Sequence, residues 1–276
     1  GTKRNGLPHN TIYSIIRTGD NQIYVGTYNG LCRYIASNGK FEKIPLPVNS
    51  SQSNLFVNSL LEDTGRQCIW IGTEGYLFQY FPSTGQMKQT EAFHNNSIKS
   101  LALDGNGYLL AGTDNGLYVY HNDVTPLQHI IHDSRNIQSL TNNIIWNIFA
   151  DQEHNIWLGT DYGISLSRYN SALQFIPISQ ITGTGDGNQF YSLFRDSKGF
   201  YWFGGTNGLI RFTDPAGDKH NAIWYRMGDK TYPLSHNRIR HIYEDKEQQL
   251  WIATDGSINR YDYATRQFVH YNIVDS

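Results

Sequence analysis

Cysteine, charge and long apolar runs are all scarce in this chain of 276 residues, and each scarcity excludes something. The two cysteines, Cys32 and Cys68, supply neither a disulfide framework nor a zinc cluster; both read as reduced, packed side chains, and they report no compartment. Charged residues make up 17%, with 22 basic against 24 acidic. Such a balance gives no electrostatic reason to expect nucleic acid or an anionic membrane as a partner. No apolar run approaches the roughly 18–20 residues that a membrane span needs, so no direct membrane contact is expected of this segment. The start carries no charged region followed by an apolar stretch, and the chain opens at Gly1 rather than Met. It reads as an excised or processed segment of something longer.

What is abundant is glycine, with 26 residues, and tyrosine, with 19, beside six tryptophans. That mixture favours strands and tight turns over helices. One phrase recurs: QIYVGTYNG (22–30), CIWIGTEGY (68–76), YLLAGTDNG (108–116), NIWLGTDYG (155–163), YWFGGTNGL (201–209) and LWIATDGSI (250–258). Its marker position is Tyr24, Trp70, Leu110, Trp157, Trp202 and Trp251, at spacings of 46, 40, 47, 45 and 49 residues. A period of that size is the signature of propeller blades and similar arrays. The repeats run over 6–48, 49–91, 92–135, 136–179, 180–230 and 231–276.

Upstream of each marker lies a strand with a small or polar centre: Ser14, Ser59, Ser100, Asn147, Ser192 or His241. Two residues earlier the chain is always apolar, and the residue just after the centre is always aliphatic (Ile12 and Ile15 in the first copy, Ile145 and Ile148 in the fourth). Positions three apart lie on opposite faces of a regular strand, which predicts a strand apolar on both faces and covered on both. Each unit then reads as four strands joined by polar and glycine-bearing turns. The expected fold is all-β, a β-propeller of six four-stranded antiparallel blades forming a single domain over 1–276. No strand is left over to latch a ring, so the alternative is a piece of a larger, seven-bladed-type ring whose edge blades pair with another copy. The markers are structural filler between blades, and the second-strand glycines allow a neighbouring blade to approach closely.

Catalytic signatures are missing. Asp63, Asp104, Asp151, Asp196 and Asp245 recur at the first turn, where an acid reads as a side-chain cap on the backbone. There is no nucleophile elbow. The histidine pair HIIH (129–132) has poor metal spacing, and GTGDG (183–187) lacks the following helix that a phosphate cradle needs. No catalytic residue, cofactor or metal is expected. What remains is a binding surface where loops gather. The turns between second and third strands offer Tyr28, Glu74, Asp114, Asp161, Tyr162, Asn207 and Asp255, and the connections between blades, with His9, His94, His236 and Arg238, should emerge on the same face. Acids, amides and aromatics are the groups that bind sugar hydroxyls and stack on sugar rings.

With the repeat laid out, the chain resembles the two-component regulator propeller repeat. The resemblance rests on the leads Leu7-Pro8-His9-Asn10, Leu140-Thr141-Asn142-Asn143 and Leu234-Ser235-His236-Asn237, on the cores IWIGT, IWLGT and LWIAT, and on the strands GLCRY, GLYVY and GLIRF. Leu110, Gly205 and Ala253 depart from it. The resemblance implies a periplasmic sensor region of a hybrid two-component system whose parent is anchored in the inner membrane. It implies an oligosaccharide ligand, a histidine kinase outside this chain, control of polysaccharide-utilisation genes, neighbouring propeller and β-sandwich domains, and a homodimer as a possible assembly. The competing readings are a propeller hydrolase or lyase acting on polysaccharide, and a scaffold that grips a protein.

Overall fold

The computed structural model describes residues 6–47, 55–90, 96–171, 173–179, 188–213 and 222–271; His94 and the 183–187 stretch lie outside them. Among the described residues, strands form six antiparallel sheets of four, each taken in chain order from first strand to fourth. The chain divides into two compact units, Gly1–Ile130 and Ile131–Ser276. The first holds three blades and the second holds the other three.

Within each unit the first strands of successive blades lie side by side. The glycine of the second strand makes this approach possible. A Cβ on Gly72 would come within 2.5 Å of Ile98 Cγ2, and one on Gly159 within 2.6 Å of the Phe190 carbonyl oxygen. Each obstacle is the apolar residue that opens the next blade's first strand. Gly159→Ala should therefore destabilise the second unit by about 1–3 kcal/mol through overpacking, read as a lowered thermal midpoint. Ala253 replaces this glycine in the last blade, and there its neighbours are His241, Tyr243, Trp251, Ile258 and Tyr271, which line an open apolar groove.

The first strand corrects one expectation. Its two apolar positions share a face, although they stand three residues apart. Val57 pairs with Thr73 and Leu60 with Ile71; Ile239 pairs with Thr254 and Ile242 with Ile252. Those partners are two residues apart, hence on one face. The physical reason is a β-bulge: in all six blades the register skips the residue between the apolar position and the small centre. The extra residue resets the alternation. Accordingly Val57 and Leu60 fall in one apolar cluster, as do Ile239 and Ile242.

Within each unit the markers Tyr24, Trp70, Trp157 and Trp202 fill the space between successive blades. Trp157 is fully buried, with its ring centroid 5.0 Å from Tyr201 and 5.2 Å from Phe203 of the next blade. Trp202 is likewise buried, 4.8 Å from Tyr261. The turn acids do more than cap. Asp151 Oδ1 accepts the Asn155 amide at 2.8 Å, while its Oδ2 accepts the Trp157 indole N–H at 2.9 Å. The same indole-to-carboxylate bond joins Trp70 to Asp63 (3.0 Å), Trp202 to Asp196 (2.7 Å) and Trp251 to Asp245 (2.7 Å). Where the marker is Leu110, Asp104 keeps only the amides of Asn106 and Tyr108.

Gly205 also finds an explanation. Elsewhere a threonine at this place binds the turn, as Thr160 Oγ1 does by donating to the Gly163 carbonyl and accepting the Tyr162 amide. At Gly205 a Cβ would fall on the Gln189 carbonyl, and Asn188 Oδ1 accepts the Asn207 amide in the hydroxyl's stead, at 3.0 Å.

Candidate ligand-binding face

The turns between second and third strands are pinned to the segments that enter the first strands, and this is what gathers the candidate residues. In the first unit the Tyr28 amide donates to the Thr11 carbonyl and the Gly75 amide to Asn96; in the second, Asp161 donates to Ile144 and Asp255 to Arg238. Turn and inter-blade connection thus emerge together at one end of each sheet.

In the first unit the rings of His9, Tyr28, Phe56 and Tyr13 form a row, with successive centroids 4.7, 4.3 and 6.1 Å apart. Beside it runs a polar network. Asn58 Nδ2 donates to Ser97 Oγ, which donates to Glu74 Oε1 at 3.0 Å. The Ser97 amide donates to Asp114 Oδ2, and Lys99 Nζ pairs with Asp114 Oδ1 at 2.8 Å. His9 itself acts as a local cap, since its Nδ1 accepts the Thr11 amide at 3.0 Å.

In the second unit Asp161 Oδ1 accepts both the Trp146 indole N–H, at 3.0 Å, and Gln189 Nε2, at 2.6 Å. Tyr191 donates its hydroxyl to Gln189 Oε1 at 2.6 Å. Its ring stands 5.2 Å from Trp146 at an interplanar angle of 80°. Burial raises the Tyr191 pKa above its ordinary value, against the opposing pull of the nearby Arg238 and Arg240 cations, so the hydroxyl remains a donor at neutral pH. Tyr162 projects into solvent. Asn207 is held by its backbone, its carbonyl accepting Arg226 Nε at 3.2 Å. His236 repeats the cap of His9 on the Arg238 amide.

Asp255 takes a guanidinium fork from Arg240, Nε to Oδ1 at 2.5 Å and Nη2 to Oδ2 at 3.1 Å, with Arg238 Nη1 at 3.8 Å. The fork holds the Asp255 pKa below the ordinary 3.8. A carboxyl whose folded pKa is depressed contributes stability above its unfolded value and loses it as pH falls through the folded one. The pairing is therefore complete at neutral pH and breaks only in acid, below the usual carboxylate range. An NMR titration of Asp255 should show a midpoint under 3.8, and Arg240→Gln should move it back upward.

The turn residues named from sequence are mostly engaged in holding others. The residues they hold directly are Lys99, Trp146 and Arg240, while Asn58 and Tyr191 join the same networks through Ser97 and Gln189; all five are bulge residues that sequence reasoning passed over. The available signal was the column between the apolar and small positions, where the six repeats carry Tyr13, Asn58, Lys99, Trp146, Tyr191 and Arg240.

Residues 6–29, 139–162, 184–207 and 233–256 match the two component regulator propeller family. The chain carries two component regulator propeller repeats. The matches cover the first two strands of the first, fourth, fifth and sixth blades. Over 99% of its length the segment is 93% identical to the extracellular domain of the BT4673 system of B. thetaiotaomicron, described there as a one component system; it covers 37% of that chain, with a TM-score of 0.60. A second structure of that domain, described as belonging to a hybrid two component system, is 94% identical with the same coverage and TM-score. Histidine kinase P4 of Formosa agariphila is 27% identical over 98% of the segment and 20% of the kinase. The virginiamycin B lyase of Staphylococcus aureus, 13% identical at a TM-score of 0.72 over 96% of the segment and 85% of the lyase, shares the propeller fold. The segment thus spans well under half of its sensor relatives, and it belongs to the extracytoplasmic part of a two-component sensor.

Proposed function

We propose that this segment recognises an oligosaccharide and passes that contact to a histidine kinase outside the chain, which controls polysaccharide-utilisation genes. The observation that carries the ligand class is the pairing, in each unit, of half-buried aromatic rings with a fixed network of acids, amides and cations at the turn end of the sheets. Rings stack on the CH faces of sugars, and oriented polar groups satisfy their hydroxyls. The segment binds and does not catalyse. A ligand moves a kinase only through different affinity for two poses of the receptor. Neighbouring propeller and β-sandwich domains, or a second copy of the chain, are the partners in which those poses would differ.

Calorimetry against oligosaccharides from plant and host polysaccharides tests this. Saturable binding of at least one, with no new reducing ends on prolonged incubation, is the expected result. Silence across the panel would point to a protein scaffold instead, and steady turnover to a hydrolase or lyase.

A further inference from the structure

We propose that the bulged residue of each first strand is the position that selects the ligand, and that Trp146, Tyr191 and Arg240 of the second unit together receive one pyranose residue. The inference rests on the oligosaccharide reading above and assigns it to residues. Its first support is geometric. The register skips Tyr13, Asn58, Lys99, Trp146, Tyr191 and Arg240, so each is the extra residue of a β-bulge. A bulge re-aims the extra side chain out of the regular alternation, a device found beside binding sites.

The second support is chemical. On either side of the bulge the repeats are uniform, apolar before and small or polar after, as packing demands. The bulge alone holds phenol, amide, ammonium, indole and guanidinium groups. A position serving the fold alone would hold to one chemistry, as the apolar column before it does.

The third support is division of labour. Asp114 holds Lys99, Asp161 holds Trp146, and Asp255 holds Arg240, each within one blade. The turn acids are positioning residues, and the groups they orient are the ones that meet a ligand. In the second unit these groups adjoin. The Trp146 and Tyr191 rings form a right-angled corner, both half-buried, and Tyr191 lies within the field of Arg240, whose side chain is 55% exposed. A pyranose laid on the indole would have its edge against the phenol, while guanidinium N–H groups not used by Asp255 reach a ring hydroxyl.

The test uses the protein in calorimetry with a panel of neutral pyranosyl tetrasaccharides. The variants are Trp146→Ala, Trp146→Phe, Tyr191→Ala, Arg240→Gln and, at the opposite turn end, Tyr169→Ala, each also melted thermally. Trp146→Ala and Tyr191→Ala should weaken the tetrasaccharide that binds by about tenfold or more. Trp146→Phe, which keeps a stacking face but loses the bond to Asp161, should stay within about threefold. Arg240→Gln should change the ranking among tetrasaccharides that differ in one hydroxyl, and Tyr169→Ala should change nothing. If the wild type binds and the alanine variants bind equally well, recognition lies elsewhere and this inference falls while the oligosaccharide reading stands. If Trp146→Phe fails to restore what Trp146→Ala loses, the ring is structural and the inference also falls. If no tetrasaccharide binds the wild type, both fall together.

Discussion

Replacing Trp157 with alanine lowers the unfolding free energy by about 3–5 kcal/mol, the range for deleting a buried aromatic ring. The ring is fully buried, wedged against Tyr201, Phe203 and Phe212 of the following blade. Nothing short of the backbone can move in to refill that volume, because the strands are tied to one another by their ladders. The substitution also removes one of the donors to Asp151, whose Oδ2 retains only the hydroxyl of Tyr201 and the amide of Asn155 as side-chain partners. In a melt this amounts to roughly 6–20 °C, taking about 2–4 °C per kcal/mol for a chain of this size. Trp251→Ala supplies the contrast. Its ring is only half-buried, beside Tyr271 and the open groove, so the loss should be about 1–2 kcal/mol. Equal losses at the two positions would mean that the indoles are not wedges between blades.

The fold was largely legible because its signals are local and repeated. A tryptophan, a glycine two residues on and a turn glycine recur in register, and each reports a constraint on its own strand. The second-strand glycine was read as a point of close approach, and Gly72 and Gly159 meet the next blade there. The bulge was not legible. An extra residue leaves no mark in a pattern of alternation except a wrong parity, and the apolar pair at Ile145 and Ile148 was accordingly assigned to opposite faces when both face one way. The same blindness hid the binding candidates. Turn residues such as Asp161 stand out because loops are polar, whereas Trp146 sits inside a strand and looks like core. That Trp146 leans on Asp161 depends on register, which the order of residues does not state. Half of the role of the turn acids was hidden for the same reason. A cap on the next few amides is readable from spacing, but the bond across the hairpin to the indole exists only once the two strands are paired.

That bond makes Asp196, like Asp151, a heavily engaged polar side chain of the second unit. Its Oδ1 accepts the amides of Lys198 at 3.0 Å and Phe200 at 2.8 Å, and its Oδ2 accepts the Trp202 indole at 2.7 Å and the Tyr263 hydroxyl at 2.6 Å. Burial raises the Tyr263 pKa far above its ordinary value, with the bond to Asp196 adding to the rise, so this hydroxyl remains a donor at any pH the protein meets. Asp196→Ala strands all these donors in a site almost closed to water, and a buried donor without a partner costs about 1–3 kcal/mol. Partial relaxation keeps the sum below simple addition, and the expected loss is about 3–5 kcal/mol in a denaturant titration. Asp196→Asn preserves the shape but offers one acceptor oxygen in place of two, and should cost about 2–3 kcal/mol. Asp104 is the internal control, since it occupies the same place in its blade and, with Leu110 in place of the indole, accepts only two backbone amides. Asp104→Ala should therefore cost about 1–2 kcal/mol. If Asp104→Ala and Asp196→Ala proved equally damaging, the acid would be a turn cap and nothing more, and the clasp between first turn and marker ring would have no share in holding one blade to the next.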